Sequence, residues 1–318
     1  MSFNQPATIC FNTMLCIVTA LIVGCNSSNN NQNSTTTNNQ STKETTKAIS
    51  NNAPIASSPK ATETLRIAAF SNLRMVLPIL VSDFNHNYPN IKIQITFAPN
   101  TALYNTVNAN PQNFDIYLSG NQTYPKQMLA SVKGAKTAPF TYTRGQLVLY
   151  SHKYPMDISP TTTLDQLILD NKPFSLAIAN PKSLAYGVAA EAWLVNQNLY
   201  NNIQSKIVYT NTLDETFALT DSGKADFGFV SLSQVLNKPN NIALQNVDTL
   251  SNNYLILPKN SYPPILQDGI ILNQPYTSQI FVDYLKSAKA QDVLTDAGFL
   301  PICTSTTILP ACKYGIGF

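Results

Sequence analysis

The chain has 318 residues, 44% of them hydrophobic, and a formal net charge of +3 from 20 Lys+Arg against 17 Asp+Glu. That apolar share is ample for a buried core, and the length suits one large domain or two modest ones. The basic residues are scattered, which argues against nucleic acid as a partner, and the two histidines, His86 and His152, without Cys-x-x-Cys or His-x-x-x-His spacing, argue against a protein-held transition metal.

The N-terminus reads as an address. Residues 14–24 form an uninterrupted small and apolar run, too short to span a bilayer but of the length of a signal-peptide core. It ends in Ile22-Val23-Gly24-Cys25, which resembles the lipobox of bacterial lipoproteins, so residues 1–25 are expected to be a signal peptide with Cys25 as the lipidated residue. Residues 26–63 are dominated by Asn, Ser, Thr and Gln, with hardly any apolar side chain to offset the entropy of ordering. They read as a disordered tether, whose roughly 37 residues would span about 35 Å as flexible coil.

From there strands and helices alternate. Residues 65–70 read as a first strand, and Leu73, Val76, Leu77, Leu80, Val81 and Phe84 then recur at helical spacing. Residues 91–97 alternate cleanly as a second strand, and Pro99-Asn100-Thr101 opens a helix over 102–109. Further strands are expected at 114–118, 146–150, 175–179, 206–209, 227–230 and 254–257, with Trp193 on the apolar side of a helix between two of them. Such alternation predicts α/β architecture with largely parallel sheets.

In open α/β sheets ligands bind beyond the carboxyl ends of strands, where helix N-termini present unpaired N–H groups. Three junctions have that form: Phe70-Ser71-Asn72, Ala98 to Thr101, and Asn180 to Gly187. Ser, Thr and Asn are also the preferred helix caps, so any one junction alone is explained by capping. Three together, with no catalytic acid, base or nucleophile beside them, favour a neutral anion pocket built from N–H and O–H dipoles and make an enzyme the weaker reading.

The order of motifs over 65–300 resembles the periplasmic molybdate-binding proteins of ABC transporters. The resemblance is carried by Ala68-Ala69-Phe70-Ser71-Asn72-Leu73, by Phe97 to Leu103, by Phe114-Asp115-Ile116-Tyr117-Leu118-Ser119, and by Thr143 to Leu149. Asn180-Pro181 through Tyr186-Gly187, Ala225 to Val230, and the closing Phe281 to Lys286 continue it. It implies a two-lobed fold of the periplasmic-binding-protein type II kind, with two mixed, mostly parallel sheets flanked by helices and a hinge of crossing strands. Lobe 1 would comprise 64–143 and 273–318, and lobe 2 would comprise 144–272.

The resemblance further implies a monomer that binds a tetrahedral oxyanion between its lobes, takes no cofactor, and delivers molybdate or tungstate to an ABC permease and its ATPase. Carried over by position, Ser71 donates its hydroxyl and N–H, Asn72 is an extra donor, and Asn100 replaces a serine. Tyr186 and Val230 donate backbone N–H groups, and a tyrosine that the family supplies from its second lobe aligns nearest Gln267 or, with another gap, Ile265. Asp268, beside that position, is either a solvated turn residue or an acceptor admitting a proton-bearing ligand such as phosphate. Sulfate, phosphate, and an enzyme or interaction protein on the same scaffold stay open as alternatives. In an exported, periplasmic protein, membrane-bound only through its lipid, Cys303 and Cys312 are expected to form a disulfide rather than remain free thiols.

Overall fold

A computed structural model describes residues 62–131, 137–156, 160–236 and 253–302. Cys25, Cys303, Cys312 and nearly all of the expected tether lie outside the described residues.

The chain opens with β1 (Glu63–Phe70), α1 (Val76–Asn87), β2 (Ile91–Ala98), α2 (Asn100–Ala109), β3 (Ile116–Leu118), α3 (Thr123–Ser131) and β4 (Phe140–Gly145). It then crosses to β5 (Leu147–Tyr150), α4 (Pro160–Leu169), β6 (Leu176–Ala179), α5 (Ala185–Asn196), α6 (Tyr200–Ile203), β7 (Ile207–Thr210), α7 (Leu213–Asp221), β8 (Phe227–Ser231), α8 (Leu232–Leu236) and β9 (Tyr254–Ile256). It returns through β10 (Ile265–Ile271), α9 (Pro275–Leu285), α10 (Ala288–Asp296) and β11 (Phe299–Leu300).

Two mixed sheets result, ordered β11-β4-β10-β3-β1-β2 and β7-β6-β8-β5-β9. Pairing is parallel where a helix connects successive strands, as for β1 with β2 and β3 and for β6 with β7 and β8. The remaining pairings are antiparallel, a larger share than the alternation of elements suggested, because β4, β5 and β10 carry the chain between the sheets.

Burial explains which segments are central. Strands β3, β5, β6 and β8 are buried along their whole length and read as continuous apolar runs, whereas edge strand β2 alternates buried or half-buried with exposed residues over most of its length. One core packs Leu77, Leu80 and Phe84 of α1 with Ile67 and Phe281 beneath the first sheet. The other gathers Leu149, Ile178, Trp193 and Phe229, with Trp193 in the core as its helical spacing predicted. Each such side chain contributes about 1.5–3 kcal/mol on burial.

The expected lobe 2, 144–272, runs too far. Strand β10 inserts between β3 and β4, pairing Gly269 with Leu118 and Ile265 with Gly145, so 265–271 belongs to the first sheet. The backbone groups of β10 are thereby satisfied on both sides. The passages between sheets fall at Gly145–Leu147 and between β9 and β10.

Candidate functional site

Four strand-to-helix junctions carry the polar residues of the candidate site, two of them joined by the Ser71–Asp214 hydrogen bond, and three of them carry no side-chain cap. Phe70 precedes a short 3-10 turn at Ser71–Leu73, Pro99 precedes α2, and Leu184 precedes α5, none with a capping hydrogen bond. Ser71 and Asn100 are therefore not capping residues. They are the first residues inside their helical turns, and the first-turn N–H groups are left unpaired by side chains.

The polar side chains here are buried, and several have no partner. Asn72 is 7% exposed and both atoms of its amide are buried without a hydrogen bond. Tyr186, 3% exposed, points its hydroxyl over Gly145, where a β-carbon would come within 2.2 Å of it, and that hydroxyl is also unpartnered. Burial raises the Tyr186 pKa well above the ordinary tyrosine value, keeping its proton available for donation. Asn72, Ser231 and Gln267 approach the hydroxyl closely enough to oppose that shift, although none completes a hydrogen bond with it. Each such buried orphan costs about 1–3 kcal/mol. Their concentration at one point marks a place organised for something other than stability.

Asn100 is held differently. Its Oδ1 accepts from Ser119 Oγ at 3.0 Å and from the Gly120 N–H at 2.9 Å, which fixes the amide and leaves its nitrogen as the free donor. Ser71 Oγ donates to Asp214 Oδ2 at 2.6 Å, a bond that joins the two lobes.

This two-lobed arrangement agrees with a match over residues 65–300 to the family described as bacterial extracellular solute-binding protein. The chain belongs to that family. Molybdate-binding protein ModA of Azotobacter vinelandii is 29% identical over 250 residues, covering 77% of this chain and 92% of that protein. The Rhodobacter capsulatus protein of the same name is 25% identical over 212 residues, covering 65% of this chain and 77% of its own. Among solved structures, the Azotobacter vinelandii periplasmic molybdate-binding protein aligns with a TM-score of 0.62 at 23% identity, covering 75% of this chain and 100% of that one, a likeness of fold.

Within this solute-binding protein the sequence-expected residues divide. Ser71, Asn72, Asn100 and Tyr186 sit at the strand-to-helix junctions. Gln267 joins them, but from the first lobe, because β10 lies in the first sheet; it is fully buried, its Oε1 lies 3.1 Å from the Tyr142 hydroxyl, and its Nε2 is unpartnered.

Val230 is placed otherwise. It pairs with Val148 in the β5–β8 ladder, and the Leu232 N–H two residues on bonds the Gln146 carbonyl. The two-residue alternation of an antiparallel ladder assigns the Val230 N–H to the Val148 carbonyl, so it is spent within the sheet. Ser231, the next residue, is the one that reaches Tyr186. Asp268 is no solvated turn residue: it is 4% exposed and its carboxylate accepts from Thr141 Oγ1 at 2.7 Å and from Gln122 Nε2 at 3.1 Å.

Asp214, Ser231 and Gln234 were not foreseen. Ser231 Oγ lies 3.0 Å from Gln234 Oε1, and Gln234 Nε2 donates to Asp214 Oδ1 at 3.1 Å. A signal for Asp214 was present in Thr212-Leu213-Asp214-Glu215, a capping-box pattern directly after a predicted strand, which places a helix N-terminus at the same sheet edge as the other junctions. Apart from the Asp214 carboxylate, the site offers donors: amide nitrogens, a phenol, a hydroxyl and helical N–H groups. No group of three or more candidate metal ligands occurs among the described residues. An open groove of about 420 Å³ along Gln122, Tyr124, Lys182, Ser183 and Pro263 includes none of the clustered residues.

Proposed function

We propose that this solute-binding protein takes up a fully ionised tetrahedral oxyanion, molybdate or tungstate, between its lobes and hands it to an ABC permease driven by an ATPase. The observation that carries the reading is the set of buried donors without partners, Asn72 Nδ2, Tyr186 Oη and Gln267 Nε2, gathered beside uncapped helix N-termini. A fully ionised oxyanion has only acceptors, so it would satisfy these groups and relieve their burial cost. The two relatives named for molybdate binding support the choice of anion. Ser71, Asn72, Asn100, Tyr186 and Gln267 are the donors of this reading, with the Tyr186 phenol in the role the family gives a tyrosine from the second lobe. Binding and release, not catalysis, is the chemistry such a donor set suits.

Titration calorimetry of the purified protein tests it: molybdate and tungstate are expected to bind more tightly than sulfate, and phosphate least. Absence of heat with all four anions would overturn the assignment. On this reading the protein works in the periplasm as a monomer, held to a membrane by lipid on Cys25. Cys25→Ser is expected to move it from the membrane to the soluble fraction with its anion affinity unchanged, and continued membrane fractionation would contradict the anchor.

A further inference from the structure

The carboxylate of Asp214 does not cap its own helix. It occupies the second position of α7, where an acid ordinarily serves the helix terminus. Its neighbours already do that work: Thr212 Oγ1 accepts from the Glu215 N–H at 3.0 Å, and Glu215 Oε2 accepts from the Asn211 N–H at 2.9 Å. Asp214 turns instead to the opposite lobe, where it takes the Ser71 hydroxyl at 2.6 Å, while Gln234 Nε2 holds its other oxygen at 3.1 Å. No lysine or arginine of the described residues pairs with it. A half-buried carboxylate with no counter-cation among the described residues therefore sits on a donor of the oxyanion site.

That position has chemical consequences. A hydroxyl has one proton to give, so Ser71 cannot serve Asp214 and a ligand oxygen together. A fully ionised oxyanion must compete with Asp214 for that proton and must also bring its own charge beside a carboxylate. A tetrahedral oxyanion that keeps a proton, such as hydrogen phosphate, meets a different environment, because its O–H can donate to the same carboxylate. Asp268, the carboxylate that the sequence offered for this role, is bonded instead by Thr141 and Gln122, and neither of these is a donor of the site.

We propose that Asp214 is a specificity-determining residue, whose carboxylate weakens binding of fully ionised oxyanions and supplies an acceptor to hydrogen-bearing ones, narrowing the preference of the site for the former. This rests on the oxyanion reading above and names the side chain that sets its selectivity.

The test is the ratio of the phosphate to the molybdate dissociation constant, measured by calorimetry on the full chain near neutral pH, in the wild type and in Asp214→Asn. Removing the charge is expected to tighten molybdate, weaken phosphate and raise the ratio by roughly tenfold or more, the scale of one hydrogen bond to a charged group. Asp214→Thr keeps an acceptor oxygen, drops the charge and is read the same way, so a single variant that fails to fold does not decide the matter. A purely structural Asp214 would shift both anions alike; molybdate binding with an unchanged or lowered ratio overturns the proposal alone. No heat from either anion in any of the three proteins overturns the oxyanion reading and this inference with it.

Discussion

Tyr186 separates stability from function more sharply than any other side chain at the site. Its phenol is buried and unpartnered, so the hydroxyl costs the fold about 1–3 kcal/mol without a hydrogen bond to offset it. Tyr186→Phe removes that cost and keeps the ring in its core. The expected outcome is a melting temperature equal to or above the wild type, together with molybdate affinity reduced by roughly tenfold or more, as for loss of a hydrogen bond to a charged group. Unchanged affinity in a well-folded variant would remove the phenol from the donor set. Asp268, as deeply buried as Tyr186, illustrates the opposite case, since Thr141 and Gln122 both donate to its carboxylate and give it a structural role. The two differ in whether the fold has already spent their polar atoms.

At the scale of elements, the junctions were legible because their chemistry is local. The segments around Ser71, Asn100 and Tyr186 each combine a strand pattern, a helical pattern and a short polar link, and each forms the expected turn. Gly187 shows why one of those links contains a glycine. A β-carbon there would stand 2.0 Å from the Ala179 carbonyl oxygen and 2.8 Å from the Pro181 nitrogen, both backbone atoms that cannot move aside independently. Gly187→Ala is expected to push the start of α5 off the end of β6, costing about 2–3 kcal/mol in denaturant unfolding and shifting Tyr186 enough to weaken anion binding. Wild-type stability would show that the backbone there yields more easily than the geometry implies. What the sequence did not reveal was non-local. Strand β10 carries a register shift between Gln267 and Asp268, and its membership of the first sheet is decided by β3 and β4 more than 120 residues earlier, so no window around Ile265 contains that information. Val230 failed as a donor for a related reason: its pairing with Val148 is set across two strands, not within one.

At the scale of the whole molecule, binding requires the two lobes to be coupled, and Phe70 provides a mechanical link. It ends β1 of the first sheet, yet its side chain joins the core of the second, alongside Tyr186 and Phe229. Its ring lies over Gly120, where an added β-carbon would come within 2.4 Å of the ring. Ser71 and Asn72 follow Phe70 directly, so displacement of the ring is passed to two donors of the site and to the Ser71–Asp214 bond between lobes. Gly120→Ala is expected to cost about 1–3 kcal/mol of stability, the range for overpacking a core, and to weaken molybdate binding although residue 120 offers the anion no side chain. Phe70→Leu alone leaves a void and should also destabilise, but in the double variant the smaller side chain makes room for the alanine methyl group. The combined loss should therefore fall short of the sum of the two, by about 1 kcal/mol in a double-mutant cycle read by denaturant unfolding. Additive losses would show that Phe70 and Gly120 act independently, and the coupling between lobes would then have to run through the crossing strands β4 and β10 instead.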